Sequence, residues 1–533
     1  MNNLRSFRAV LLREVDPDIT SWNYSVANLP QAKQTNAAGL VKCLSLISSN
    51  AKQEIVLRFE SAPSNRVTRK EPLDKLLLIS LADFRLRWPA KSPDDPPRLA
   101  TGKENGDYIT RLLTTGVGLN GIQYHFFGHS NSQLKSRSCF LYAASKEEIS
   151  TKVEAMGDLS KLKSVGKKAK RIGLLFSSAD MALALPPERC EDIEDVKRDG
   201  YIFTDGCGLI SLQLARQLAQ RRKIIFRDKR YLPSVFQIRY RGYKGVLTLD
   251  RTLQGQVQVQ FRESMRKFKD ASDHSFAVVD YSKPYAFGSL NDEVVVLLHT
   301  LGVSEEMLLR KQQQHLDFLS NVSQGDSRAA FQFLSYCDRI NLAEKLLLEG
   351  SEPVRSTLGG LVRQEYAKML NKRDEQRCRI LIPKSRLLFG VCDPASKNGR
   401  PGKLREGECF VRITHDGDGV GRTIIATEVM VTRNPCLHPG DLQKFKAVDI
   451  PEFSGLVDCI VFSTQGRRPS ADLMSGGDLD GDKCKASQCI HAHVLTITSS
   501  LRHLGPRYHP ADNGGARSVS WRQRVCHFRR RDW

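Results

Sequence analysis

Two blocks of strand-like periodicity, separated by a helical block, constrain this chain more than any other feature. In "SVFQIRY" Phe236, Ile238 and Tyr240 share one face, with Val235 out of phase. Gln237, Arg239 and the following Arg241 share the other face. "QVQVQFR" alternates strictly, with Val257, Val259 and Phe261 together. A period of two marks strands that turn one face to a core. "YKGVLTLD" follows directly after Gly242, and a short amphipathic helix, "LQLARQLAQ", lies between "YIFTDGCGLIS" and these strands. The pattern predicts a small, closed β unit over 200–290, a barrel rather than a doubly wound sheet.

From 291 to about 375 the period changes. "EEMLLRKQQQHLDFLSNV" and "RAAFQFLSYCDRINLAEKLLLEG" place apolar residues three and four apart, which predicts helices, and Gly350 suits a helix stop. Strands return over 378–465 in "CRILIP", "RLLFGV", "ECFVRIT" and "TIIATEVMVTR", with "HDGDGVG" as a turn between two of them. Residues before about 190 are mixed. "AKQEIVLRFE" and "YHFFGHS" read as strands, "KEEISTKVEAMGDLSKL" as a helix capped by Ser145, and "SPDDPPR" as a loop.

With 533 residues the chain is long enough for three or four units. Its net charge of +22 favours a polyanionic partner such as nucleic acid over diffuse surface charge. "VVVLLHTLGV" is far too short to span a bilayer, and the mixed charges of the N-terminus do not read as a signal peptide. Thirteen cysteines, none in a CxxC pair, read as reduced thiols of an intracellular protein.

The chemistry-bearing stretch is "SGGDLDGDKC", residues 475–484. A single acidic, glycine-rich turn is usually a solvated surface feature, and "HDGDG" at 415–419 is read that way. Asp478, Asp480 and Asp482 differ because they recur at every second position, and alternate side chains of an extended segment project to one side. Three like charges there call for a divalent cation, and magnesium or manganese accepts such carboxylate oxygens beside substrate phosphates. Gly476, Gly477 and Gly481 allow sharp turning and close approach of phosphates. An EF-hand is excluded because Lys483 and Cys489 stand where its glycine and glutamate belong, counting from Asp478. A haloacid-dehalogenase phosphatase would need an apolar strand where "MSGG" stands.

"SGGDLDGDKC" resembles the signature loop of cellular RNA-dependent RNA polymerases, the eukaryotic enzymes of RNA silencing. So, in the family's order, do "SNRVTRK", "SNSQLKSRSCFLYA", "YIFTDGCGLIS", "FQIRYRGYKGVLTLD", "FRESMRKF", "VTRNPCLHPGDLQKFKAVDIPE" and "LVDCIVFSTQGRRP". The resemblance covers about residues 60–484. It implies an α+β fold of two double-psi β-barrels joined by helices. The expected organisation is a mixed α/β slab-like region (1–195), a first barrel (196–290), a helical connector (291–377) and a second barrel (378–485). A non-family basic tail (486–533), expected to be disordered, would follow.

By the same resemblance Asp478, Asp480 and Asp482 match the metal-binding triad. Gln237, Lys244 and Lys267 match polar and basic positions of the first barrel, and Arg433 matches a basic residue facing the nucleotide. Taken alone, Lys244 or Lys267 reads as a solvated lysine. The implied activity is copying of single-stranded RNA into double-stranded RNA from nucleoside triphosphates, with Mg2+ or Mn2+. The implied pathway partners are Dicer and Argonaute, with no membrane, in the nucleus or the cytoplasm.

From Ala486 the composition changes to eight arginines with no lysine or glutamate, together with five of the twelve histidines. The expectation is a chain truncated relative to the family, with a tail that reads as a misread exon or a shifted frame. The rival function is therefore a catalytically incompetent RNA-binding relative. "GVGLNG" (116–121) spells GxGxxG in reversed context, helix before and strand after, and is read as a turn. Cys484, Cys489, His491 and His493 match no common zinc spacing. The basic run "KLKSVGKKAKR" (161–171) suits either phosphate contact or solvent.

Overall fold

The structure, a computed structural model, describes residues 39–487 together with Phe7–Leu11 and Trp22–Tyr24. Residues 49–52, 82–83, 89–97, 161, 228, 270–273, 285, 338, 371–378 and 416–417 are not described. The tail from 488, and with it Cys489, His491 and His493, lies outside the described residues, as does most of "SPDDPPR".

The N-terminal region is an eight-stranded sheet. Its order is Phe7–Leu11, Gln53–Ser61, Leu40–Ser48, Leu76–Ser80, Ser138–Tyr142, Ile122–Gly128, Val117–Leu119 and Trp22–Tyr24. The strands expected in "AKQEIVLRFE" and "YHFFGHS" are among them. The helix Lys146–Ala155 starts at its expected cap, with the Ser145 hydroxyl accepting from Glu148 N and the Glu148 carboxylate accepting from Ser145 N. It ends at Ala155 rather than near Leu162. The ring of Phe268 stands 2.5 Å from where a Cβ on Gly157 would lie, and Asp158 bridges to Lys269. "GVGLNG" is a helix stop at Gly116, the short strand Val117–Leu119 and a tight turn at Asn120–Gly121.

The first central sheet holds β1 (Asp180–Ala184), β2 (Cys190–Ile193), β3 (Cys207–Ser211), β4 (Val235–Tyr240), β5 (Tyr243–Asp250), β6 (Val259–Arg262) and β7 (Ser275–Tyr281). Their order is β1-β7-β4-β5-β3-β6-β2, with β3–β5 and β2–β6 parallel. Along β4 the expected alternation holds: Phe236, Ile238 and Tyr240 are buried, Gln237 and Arg239 half-buried. Along β6 it fails. Gln260 and Arg262 are buried as well, because Gln260 donates to Glu191 and Arg262 enters a cage of carbonyls. The helix α1 (Leu212–Arg221) buries Leu214, Ala215 and Leu218 against this sheet.

The connector holds α2 (Asp292–Thr300), α3 (Glu305–Ser323), α4 (Ser327–Tyr336), α5 (Ile340–Glu349) and α6 (Arg355–Leu370). Gly350, at φ +82°, ends α5 as expected. Leu319, Phe333, Leu334 and Val354 form the connector's own core. "VVVLLHTLGV" runs through α2. No helix among the described residues is long and apolar enough to cross a membrane.

The second central sheet contains β8 (Phe287–Asn291), β9 (Arg379–Cys392), β10 (Glu408–Thr414), β11 (Gly421–Thr423), β12 (Ala426–Arg433), β13 (Gln443–Ala447), β14 (Cys459–Phe462) and β15 (Lys483–Ser487). Six of these strands close a ring. β9 pairs with β14, β14 with β10, β10 with β13, β13 with β12, β12 with β15, and β15 again with β9. Closure removes the exposed edges that an open sheet would leave. "CRILIP" and "RLLFGV" belong to one strand, β9, and "TIIATEVMVTR" contributes to two, β11 and β12.

Three boundaries differ from the sequence expectation. β1 and β2 precede residue 196 yet join the first central sheet. β8 begins at Phe287, inside the expected first barrel, yet pairs with β9 of the second. β15 runs to Ser487, since Ala486 and Ser487 complete the rungs that close the ring. Local periodicity reveals strands but not their partners. The two sheets share one apolar core, in which Phe236, Ile238 and Leu247 meet Val391, Phe410 and Ile460. Each of the ten described cysteines is free. Cys484 lies buried in that core, and burial pushes its thiol up to about 12, which does not suit a metal ligand.

Candidate active site

The aspartate loop is anchored by what surrounds it. Met474 and Leu479 are buried in the shared core on either side of the turn. Ser475 (φ +58°) and Gly476 (φ +61°) reverse the chain between them. With Leu479 facing inward, Asp478 and Asp480 take the opposite side, as the period-two spacing predicts. Leu479 N donates to Asp205 O at 2.9 Å, which ties the loop to the first sheet.

The sites expected from sequence converge from both sheets. Lys244, on β5, places Nζ 2.5 Å from Asp480 Oδ2. Gln237, on β4, donates from Nε2 to the Asp480 carbonyl at 3.4 Å. Arg433, the last residue of β12, donates from Nε to Asp482 Oδ2 at 2.5 Å and from Nη1 to Ser475 O at 3.3 Å. One guanidinium therefore spans both ends of the loop. The Asp478 carboxylate accepts from Asp480 N at 3.2 Å. Gly477 packs under Arg433, whose Cδ would lie 2.7 Å from a Cβ there. At Gly481 (φ +131°) a Cβ would meet Gln237 Nε2 at 1.8 Å. Gly476 has open space around it and serves only the turn. Lys267 stands apart: its ammonium donates to Ser264 O at 2.7 Å and makes no ion pair with the three aspartates among the described residues.

Sequence reasoning missed three residues here. Asp205, in "YIFTDGCGLIS", has its carboxyl raised by burial and by Asp195 and Asp480, against the pull of Lys267 and Lys244. Its neighbour Gly206 (φ +80°) lets the first sheet touch the loop, because a Cβ there would lie 2.5 Å from Asp480 Cβ. Arg239, on β4, is brought down to about 10 by burial, opposed by the Asp480 charge. The signal for all three lay in stretches already marked by the resemblance, "TDGCG" and "FQIRY".

Asp478 and Asp205 are carboxylates short of counter-charge. Asp478 is pushed up to about 6, first by burial and then by Asp480, Asp482 and Asp205. Among the described residues no three acidic, histidine or cysteine side chains converge as a ready metal cage. Asp480 is turned to Lys244, and Asp482 to Arg433. The donor set itself is all carboxylate oxygen, which fits a hard divalent ion such as Mg2+ or Mn2+. Such an ion competes with the two cations for the same oxygens.

Comparison with known proteins converges on one group. The sequence profile described as RNA dependent RNA polymerase matches residues 54–507, a wider stretch than the motif-bearing 60–484. Probable RNA-dependent RNA polymerase 1 of Oryza sativa subsp. japonica is 32% identical over 430 residues, 79% of this chain and 56% of that relative. RNA-dependent RNA polymerase 2 of Arabidopsis thaliana is 34% identical over 398 residues, 70% of this chain and 34% of that relative. The chain thus spans about half the length of the first of these relatives and a third of the second. In fold it matches the RNA dependent RNA polymerase QDE-1 from Thielavia terrestris, with a TM-score of 0.62 and 20% identity, over 90% of this chain and 55% of that one.

Proposed function

Because this chain belongs to the RNA-dependent RNA polymerase family, we propose that it copies single-stranded RNA into double-stranded RNA from nucleoside triphosphates. The observation that carries this reading is the meeting of Asp480 and Asp482 with Lys244 and Arg433, cations delivered by two different sheets. Phosphoryl transfer is mostly positioning and charge stabilisation, and this arrangement offers both.

Asp478, Asp480 and Asp482 would hold Mg2+ or Mn2+. Divalent ions bound there supply Lewis acidity toward phosphoryl and hydroxyl oxygens. Lys244 and Arg433 neutralise the triphosphate once they leave the carboxylates. Gln237 and Gly481 set the backbone path of the loop, Gly477 keeps Arg433 in place, and Gly476 turns the chain. Lys267 adds positive charge behind Asp205. We read the closed ring β9-β14-β10-β13-β12-β15, and the seven-stranded sheet facing it, as the two double-psi β-barrels of the family fold. The net charge of +22 suits an RNA template. The double-stranded product would feed small-RNA silencing through Dicer and Argonaute inside the cell.

The test is incorporation of labelled nucleotide on a single-stranded RNA template with Mg2+, beside Asp480→Ala. Template-dependent incorporation that the variant abolishes is the expected result. Equal incorporation by the variant overturns the assignment. RNA binding without incorporation by the unaltered chain leaves the non-catalytic reading in its place.

A further inference from the structure

The segment that carries the aspartates is gripped from the first central sheet by two adjacent strands at a single rung. Gln237 on β4 and Asp280 on β7 are partners in register. Gln237 touches the loop at the Asp480 carbonyl and leaves no room for a side chain at Gly481. Asp280 reaches the far end: its Oδ2 lies 2.7 Å from Lys483 Nζ. Lys283 approaches the other carboxylate oxygen at 3.5 Å. The Lys483 ammonium also stands 4.9 Å from the centroid of the Phe389 ring, and Phe389 is its register partner on β9. Burial alone would raise the Asp280 carboxyl, yet the lysines hold it below its ordinary value, so it is charged at neutral pH.

Gln237 and Asp280 thus fix both ends of the run Asp480–Gly481–Asp482–Lys483. Gly481 gives the backbone between them the most freedom of any residue type, so the end contacts set the backbone from which the Asp482 carboxylate reaches Arg433. Packing does not substitute for the ion pair. Lys483, Lys283, Tyr281 and Phe389 line a cavity of about 310 Å³, closed on its other side by Arg339 and Gln364 of the connector. Both side chains keep some solvent access, 32% for Lys483 and 24% for Asp280, which limits what the pair adds to stability on its own. What this pair does is set direction.

We propose that Asp280 is a positioning residue of the aspartate loop: through Lys483 it fixes the orientation of Asp482 relative to Asp480. The catalytic half of this statement rests on the polymerase reading; the mechanical half does not. The experiment is hydrogen exchange across the peptide 475–484 in the full chain, with nucleotide incorporation measured in parallel. Asp280→Asn and Lys483→Met are each expected to speed exchange in that peptide about tenfold while the melting temperature holds. The double variant should go no further than the faster single one, as one shared contact requires. Lys483→Arg should keep exchange near that of the unaltered chain. In incorporation, both single variants should lower kcat about tenfold with KM for the nucleotide unchanged. Exchange that does not move in either single variant overturns the proposal, as do exchange effects that multiply in the double variant. Exchange that moves as expected in a chain that incorporates no nucleotide upholds the brace and refutes the polymerase reading instead. Should Asp280→Asn fail to fold, Lys483→Met beside Lys483→Arg decides the matter by the same exchange readout.

Discussion

Lys244 lies on the first central sheet and Asp480 on the loop that leads into β15 of the second, yet Nζ and Oδ2 are 2.5 Å apart. The two sheets are therefore tied through a charge pair as well as through their shared core. On the proposed reading, in which Asp480 would also hold a metal ion, Lys244 has two opposed effects. It neutralises substrate phosphate, and it competes with the metal. Lys244→Met should accordingly lower kcat about 100-fold, the usual cost of deleting a charge-stabilising donor. It should also tighten Mn2+ binding, roughly tenfold, because a nearby positive charge is gone. Calorimetric titration with Mn2+ alone, set beside incorporation kinetics, reads the two effects separately. Parallel losses in both would contradict this account.

Asp478 gives a prediction in pH. Burial and its acidic neighbours hold its carboxyl at about 6, against 3.8 ordinarily. Between those values the folded chain binds more protons than the unfolded one, so stability falls as pH rises through that window. Asp478→Asn removes the penalty. It should be more stable than the unaltered chain at pH 7.5 in chelator, by about 1–2 kcal/mol after allowing for partial solvation. The difference should shrink to nearly nothing near pH 3.5, where the carboxyl is neutral in the folded state and mostly protonated in the unfolded one. Urea unfolding at the two pH values measures it. The same variant should lose incorporation, a site kept at the expense of stability.

Much of this was legible in the sequence, and what was not has a common cause. Phe236, Ile238 and Tyr240 announced their strand, Gly350 its helix stop and Ser145 its cap, because each signal is local. The period-two aspartate spacing announced the loop. Asp205 and Gly206 sat in a stretch the resemblance marks and Asp280 in none, but nothing local singled out any of them, because their partners lie more than 200 positions away in the chain. Arg262 misled outright. A charged residue in an alternating run reads as solvent-facing, and only the tertiary structure supplies the carbonyls that make its burial tolerable.

Arg262 therefore carries its own prediction. It is fully buried on β6. Its guanidinium donates to Cys207 O at 3.0 Å, Glu194 O at 2.5 Å and Ser396 O at 2.8 Å. The last of these lies beyond β9, so this cation too joins the two sheets. Arg262→Met keeps the length and apolar stem but orphans three carbonyls, two of them in buried bonds. We expect a loss of about 3–5 kcal/mol, seen as a lower urea midpoint.

Two glycines near the loop separate turning from close approach. Gly476 has a positive φ and nothing within 4 Å of a Cβ, so Gly476→Ala should cost only the conformational preference, about 1 kcal/mol. Gly206 has a positive φ as well, but its Cβ would stand 2.5 Å from Asp480 Cβ and 2.7 Å from Asp480 Cα. Backbone cannot yield as a flexible side-chain tip can, so Gly206→Ala must push the sheet and the loop apart. Its stability cost should be about 2–3 kcal/mol. The displacement should also lengthen the Lys244–Asp480 contact, and incorporation should fall far more in Gly206→Ala than in Gly476→Ala. Paired melting and single-turnover measurements on the two variants test this. Equal activity losses would mean that the first sheet does not set the position of Asp480.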